Sequence, residues 1–265
     1  MLSTSNLYFS YTNEQAALKD INIDLFPGKI TGIIGANGSG KSTLFMNLLG
    51  ILKPTSGYVC WDGQPIAYQK KDLLSLRQKV AMVFQEPDQQ IFYTDIKKDI
   101  AFSLRNLKVN EQEIERRVNC ALERVDAHHF VDCPVQYLSF GQKKRVAIAG
   151  ALVLNSSCIL MDEPTAGLDP QGREQIIQII KETAENGKTI VISSHDIDLI
   201  YQICDEVYVL KNGTVVDKGL TQDVFLKSQL IQDAGLTQPW LVKLHLLKGY
   251  SLYRHEEDFF KITDL

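Results

Sequence analysis

Residues 35–42 read Gly-Ala-Asn-Gly-Ser-Gly-Lys-Ser, a complete G-x-x-x-x-G-K-S loop between an apolar run, Ile30-Thr-Gly-Ile-Ile34, and a helix-like run from Thr43 to Leu49. Strand, glycine-rich turn and helix in that order constrain this chain more than any other feature. A loop that wraps backbone N–H groups around phosphate needs glycines at its turns, and the helix N-terminus adds a positive dipole end. Gly35, Ala36, Asn37, Gly38, Ser39 and Gly40 form the cradle. Lys41 can reach the β- and γ-phosphates, and Ser42, with Thr43 beside it, can ligate Mg²⁺. The pattern implies a chain that binds a nucleoside triphosphate.

Strand-like runs recur at 5–11, 18–26, 30–34, 57–62, 80–84, 158–162, 189–193 and 206–218. The first ones cluster without helices, which predicts an N-terminal antiparallel β subdomain. From residue 30 onward, strands alternating with helices predict an α/β core with a parallel sheet, the P-loop NTPase (RecA-like) arrangement. Asn212-Gly213 reads as a hairpin turn. Between 88 and 154 the strand signals vanish. Asp95 can cap a helix to Leu107, Asn110 with Glu113 another to Val125, and Ser139 with Gln142 a third. This stretch is expected to be an inserted α-helical subdomain within one nucleotide-binding domain over 2–220. Residues 221–265 carry short helical signals and form a C-terminal tail.

Cys158-Ile-Leu-Met-Asp162 is an apolar strand ending in a carboxylate, with Glu163-Pro164 directly after it. An acid at the C-terminal end of a parallel strand beside a phosphate loop can hold Mg²⁺, and the next acid is placed to activate water. His195 ends another strand in Ser193-Ser-His-Asp196 and can hydrogen-bond a γ-phosphate or hold the water with Glu163. Gln85 closes the strand at 80–84 and suits a withdrawable ligand for Mg²⁺ or water. Tyr11 can stack on adenine through its π face, an ordinary core or surface tyrosine being the alternative. The metal set is therefore Ser42, Gln85 and Asp162.

The phosphate loop, Gln85, Leu138-Ser-Phe-Gly-Gln142, Cys158–Glu163, Ala166-Gly-Leu-Asp169 and His195 occur in an order that resembles the ATP-binding cassette ATPases over roughly residues 2–220. The resemblance implies ATP hydrolysis with ATP and Mg²⁺, and a second copy of the chain that closes head-to-tail around two nucleotides. In it Ser139, Gly141 and Gln142 bind the nucleotide held by the other copy. Ser139 and the N–H groups after it open a helix, which is a second anion site in its own right. Phe140 departs from the family, standing where a glycine is usual.

A narrower resemblance lies at Phe84-Gln85-Glu-Pro-Asp-Gln-Gln-Ile-Phe92, which is similar to the energy-coupling-factor (ECF) importers. Residues 89–96, 141–150, 193–200 and 234–245 resemble their cobalt-importing branch, which acts in cobalamin biosynthesis; nickel or a vitamin is the alternative cargo. This resemblance implies a membrane-embedded coupling subunit and a substrate-capture subunit as partners, and a peripheral place on the cytoplasmic face of the cell membrane.

Other readings weigh less. A P-loop kinase has no use for a second anion site at 138–142, and soluble cassette factors tend to carry two fused cassettes. A net charge of −4 without a basic face speaks against nucleic acid as a partner. No leader is expected at Met1-Leu-Ser-Thr-Ser5 and no apolar run approaches a membrane span. Five scattered cysteines without a C-x-x-C pair fit a reducing compartment. His128-His129, with Asp132 and Cys133 nearby, match no common ligand spacing. Adjacent side chains are expected to diverge, so the pair reads as a solvated helix end. Trp61 and Trp240 read as core or interface residues.

Overall fold

The computed structural model describes residues 1–12 and 16–263. In chain order the elements are β1 (Leu2–Ser10), β2 (Ala16–Leu25), β3 (Ile30–Ile34), α1 (Lys41–Leu48), β4 (Ser56–Trp61), β5 (Gln64–Pro65), α2 (Lys70–Lys79), β6 (Val80–Val83), α3 (Ile96–Asn106), α4 (Glu111–Arg124) and α5 (Phe140–Leu152). After these come β7 (Cys158–Asp162), α6 (Pro170–Glu185), β8 (Thr189–Ser193), α7 (Ile197–Ile203), β9 (Glu206–Lys211), β10 (Thr214–Leu220), α8 (Thr221–Phe225), α9 (Ser228–Asp233), α10 (Trp240–Lys248) and α11 (Glu256–Thr263).

Two sheets form. A six-stranded sheet runs β10-β9-β3-β8-β7-β6, and every pairing but β9–β10 is parallel. β3, β7 and β8 are buried along their whole length, as their unbroken apolar sequences require of strands covered on both faces. A four-stranded antiparallel sheet, β2-β1-β4-β5, lies against it and contributes Leu7, Leu18, Ile21 and Ile23 to a core shared with Ile33 and Leu160. The expected fold class is thus what forms, with one correction. β4 follows the phosphate-loop helix, yet it pairs with β1 rather than joining the parallel sheet. Strand limits also shift by one to three residues at 5–11, 18–26 and 57–62. β6 stops at Val83, and Asn212 and Gly213 both take positive φ, as a type I′ hairpin demands.

Between β6 and β7 the described elements are all helical. Asp95 caps α3 by accepting from the Lys98 N–H at 2.9 Å, and Asn110 caps α4 by accepting from Glu113 at 2.9 Å. Ser139 and Gln142 form a reciprocal capping box at the start of α5.

The residues after β10 are welded to the core. Phe225, Ile231, Leu241 and Val242 are buried in the main apolar cluster. The Trp240 N–H donates to Asp198 at 2.9 Å, and Arg254 donates to the carbonyls of Tyr201 and Cys204. Gly235 returns close to Ala36 in the phosphate loop. Trp61 ends β4, partly buried, with Lys79 Nζ 5.1 Å from its ring centre. No helix among the described residues is long and apolar enough to cross a membrane, and the five cysteines are free thiols.

Candidate active site

The parallel strands carry the site at their C-terminal ends. β3 delivers the chain into the loop at Gly35, and α1 begins at Lys41 with Gly40 as its cap. Gly40 sits at φ +108°, and a Cβ there would lie 2.9 Å from Leu18 and 3.1 Å from the Ala17 carbonyl, so only glycine fits. β7 and β8 are in register, pairing Asp162 with Ser193, and this places the two acids opposite Ser193-Ser-His195.

The cleft that results, about 320 Å³, is lined by Tyr11, Asn37, Gly38, Gly40, Lys41, Ser42, Thr43, Gln85, Asp162 and Glu163, with Ala17. Lys41 Nζ rests 2.7 Å from the Gly35 carbonyl and 3.2 Å from that of Ala36. Burial holds its pKa below the ordinary lysine range, and the carboxylates of Glu163 and Asp162 oppose that shift. Ser42 Oγ donates to Asp162 Oδ2 at 3.1 Å, while the Ser193 hydroxyl donates to Oδ1. Tyr11 is 64% exposed, its hydroxyl 3.1 Å from Thr43 Oγ1 and its ring edge-on to Phe9. Gln85 is exposed at the rim.

Glu163 is buried at φ +46° and held from three directions. Ser194 Oγ donates to Oε2 at 2.8 Å, the His195 backbone N–H donates to Oε1 at 2.8 Å, and His195 Nδ1 is 2.7 Å from that same oxygen. The His195 side chain is otherwise 71% exposed.

The donor chemistry fits the groups the loop implies. Among the described residues, Ser39 Oγ is buried in the loop with no hydrogen-bond partner, an orphan that a bound anion can satisfy. Ser42, Asp162 and Gln85 offer only hard oxygen and amide ligands, which suits Mg²⁺ rather than a soft metal.

Ser139, Gly141 and Gln142 do not join this cleft. They line a separate hollow of about 530 Å³ with Phe140, Gly167, Leu168, Asp169 and Arg145, and the two linings share no residue. Phe140 is the first residue of α5 in ordinary helical conformation, so the glycine usual there is not needed for backbone freedom. Its ring lies on Gly167, where a Cβ would stand 2.7 Å from Phe140 Cε1. The bulk at 140 is absorbed by the missing side chain at 167.

Three contributors escaped the sequence reading. Ser193 and Ser194 anchor the acid pair from a neighbouring strand. Lys144, fully buried on α5, donates to the carbonyls of Phe84 and Gln85 at 3.1 and 2.8 Å, and burial pushes its pKa down to about 8. Together with the Lys143–Asp88 ion pair at 2.7 Å and Gln90 Nε2 donating to the Ala147 carbonyl at 2.7 Å, it clamps the Gln85 segment to the helix that Ser139 caps. The signal was present: position 144 precedes Ala147, Ile148 and Ala151 at helical spacing on the buried face.

The His128–His129 expectation fails in part. Asp132 and Cys133 stand apart from them, but the two imidazoles do not diverge: both face Asp126.

Residues 18–166, more than half of the chain, match the ABC transporter family. The cobalt import ATP-binding protein CbiO of Salmonella typhimurium is 58% identical over 260 residues, which cover 98% of this chain and 96% of that protein. The structure of cbiO1 from Clostridium perfringens, part of the ABC transporter complex cbiONQ, superimposes with a TM-score of 0.79 at 43% identity, over 93% of this chain and 98% of that one. A dimeric ATP-binding cassette in a post-hydrolysis state, bound to ADP and Pi, superimposes with a TM-score of 0.76 at 30% identity, over 83% and 99%. Loop, acids and hollow lie on a fold that the two solved relatives share over 83% or more of this chain, and the chain belongs to the ABC transporter family as one of its ATP-binding, ATP-hydrolysing cassettes.

Proposed function

We propose that this cassette drives an ECF-type importer of a transition metal, cobalt, for cobalamin biosynthesis, as a pair of copies that share their nucleotides. The observation that carries the shared site is the separation of two anion-binding surfaces on one chain. The cleft at Gly35–Ser42 and the hollow at Ser139–Gln142 share no lining residue, which supports a reading in which the hollow of one copy serves the nucleotide held in the cleft of another. The relative solved as a dimer with ADP and Pi supports this reading.

Each side chain then takes a role. The Gly35–Gly40 backbone and Lys41 bind the phosphates, and Tyr11 stacks on the base. Ser42, Asp162 and Gln85 would hold Mg²⁺, which would neutralise phosphate charge. Glu163, oriented by Ser194 and His195, takes a proton from the attacking water. Ser139 and Gly141 reach the second copy's nucleotide through a helix N-terminus, with Gln142 supporting the cap.

Movement at Gln85 would travel through Lys144 and the Asp88 turn to the helical residues 88–154 and on to a membrane-embedded coupling subunit at the cytoplasmic face. A substrate-capture subunit selects the cargo, and no nucleic acid takes part. The cobalt assignment follows the Salmonella relative, and the transporter partners follow the complex that contains cbiO1. It is tested by purifying the chain with its membrane partners and measuring ATP-dependent uptake of labelled cobalt and nickel. Uptake of nickel without cobalt, or of neither metal, contradicts it.

A further inference from the structure

Away from the phosphate cleft, one group of three metal-ligating side chains among the described residues brings its donor atoms within 4.8 Å of one another: Asp126, His128 and His129. It forms where α4 ends. Asp126 takes φ +51° and the Ala127 N–H closes onto the Leu122 carbonyl at 2.9 Å. The short 3-10 turn at His128–Phe130 then brings the two imidazoles together, ring centres 3.8 Å apart and planes tilted by 46°. His129 Nε2 lies 3.3 Å and His128 Nδ1 3.7 Å from one and the same oxygen, Asp126 Oδ1.

We propose that Asp126, His128 and His129 bind a divalent first-row transition metal, and that its occupancy lowers ATP turnover. Imidazole with carboxylate suits cobalt, nickel and zinc over the hard ions that the phosphate cleft takes. Ligand bonds of about 2.0–2.2 Å set neighbouring donors roughly 3–3.5 Å apart, so small ring rotations close the observed spacings onto one ion. The carbonyl end of α4 adds negative potential at the same point. Both imidazoles are more than half exposed, so an ion enters from solvent, and three protein ligands leave positions for water. The site is therefore exchangeable rather than structural.

The link to turnover runs through Arg145 on α5. Its Nη1 is 3.3 Å from Asp126 Oδ2 and 3.4 and 3.5 Å from the carbonyls of Asp126 and Val125. His129, Asp126 and Arg145 are also walls of the hollow that Ser139 and Gly141 line. A dication on Oδ1 draws the carboxylate from Arg145 and repels the guanidinium, loosening the helix that Ser139 caps. This half rests on the proposed shared nucleotide site. With a transition metal as cargo, it amounts to product restraint of import.

The test uses the full, tag-free chain without nucleotide or Mg²⁺, titrated with Co²⁺ alone by calorimetry and by cobalt absorption bands. Wild type is expected to bind one Co²⁺ per chain with nitrogen ligation. His128→Ala and His129→Ala each weaken it about tenfold or more, and His255→Ala does not. At saturating Mg·ATP, added Co²⁺ is expected to lower wild-type turnover at least about twofold. The His128→Ala/His129→Ala double variant, measured against its own cobalt-free turnover, is spared. Equal cobalt affinity in wild type and double variant overturns the site. Loss of binding with unchanged inhibition overturns the control of turnover. Binding by the isolated chain does not depend on what the transporter carries, so either failure leaves the importer reading to its own uptake test.

Discussion

Glu163 and His195 meet twice: one carboxylate oxygen accepts from the His195 backbone N–H at 2.8 Å and stands 2.7 Å from its ring Nδ1. The carboxylate is fixed by the strand that follows it in space rather than by its own loop. Its orientation survives changes in the histidine ring, because the backbone and Ser194 contacts remain.

Replacing Glu163 by Gln keeps the shape and removes the base. Glu163→Gln is expected to bind ATP with near wild-type affinity and to turn over a hundredfold to a thousandfold slower, about 3–4 kcal/mol of lost transition-state stabilisation. It should accumulate as a closed dimer. Steady-state turnover with size-exclusion in ATP checks this, and wild-type turnover removes Glu163 from the role.

Lys144 is a buried ammonium whose native pKa is pushed down to about 8, below its unfolded value. Between about pH 8 and the unfolded lysine pKa near 10.4 the unfolded chain binds more protons, so this group adds stability as pH rises through that window. The stability difference between wild type and Lys144→Met should therefore widen in favour of wild type from pH 7.5 to 9.5. Thermal melts of both proteins across that range would show it; a constant gap contradicts it.

Phe225 is fully buried and edge-on to Tyr201, ring centres 5.8 Å apart, although it lies beyond the last strand. Phe225→Ala should cost about 3–5 kcal/mol of unfolding free energy. Urea unfolding measures it. A loss under about 1 kcal/mol would mean that the tail does not share the core.

Much of this was legible because the signals are local. A phosphate loop, a capping box and an apolar strand ending in two acids each lie within eight residues, and backbone geometry converts them directly into position. What the sequence concealed depends on neighbours far along the chain. Ser193 and Ser194 reach acids 31 residues away through strand register. β4 pairs with β1, which lies about fifty residues earlier in the chain, in antiparallel register rather than with the parallel sheet. α2 was invisible because its sequence is largely polar, with Leu76 its single fully buried side chain. The convergence of His128 and His129 depends on a left-handed residue at 126 and a tight turn after it, and side-chain spacing in sequence encodes neither.

The central claim is that Lys41 of one copy and Ser139 of another serve the same nucleotide. Lys41→Ala and Ser139→Ala chains, each nearly inactive alone, are mixed in equal amounts with ATP and turnover is measured. The account predicts activity well above the sum of the two separate proteins, because each heterodimer holds one intact composite site. No gain on mixing, with heterodimers demonstrably formed, would contradict it.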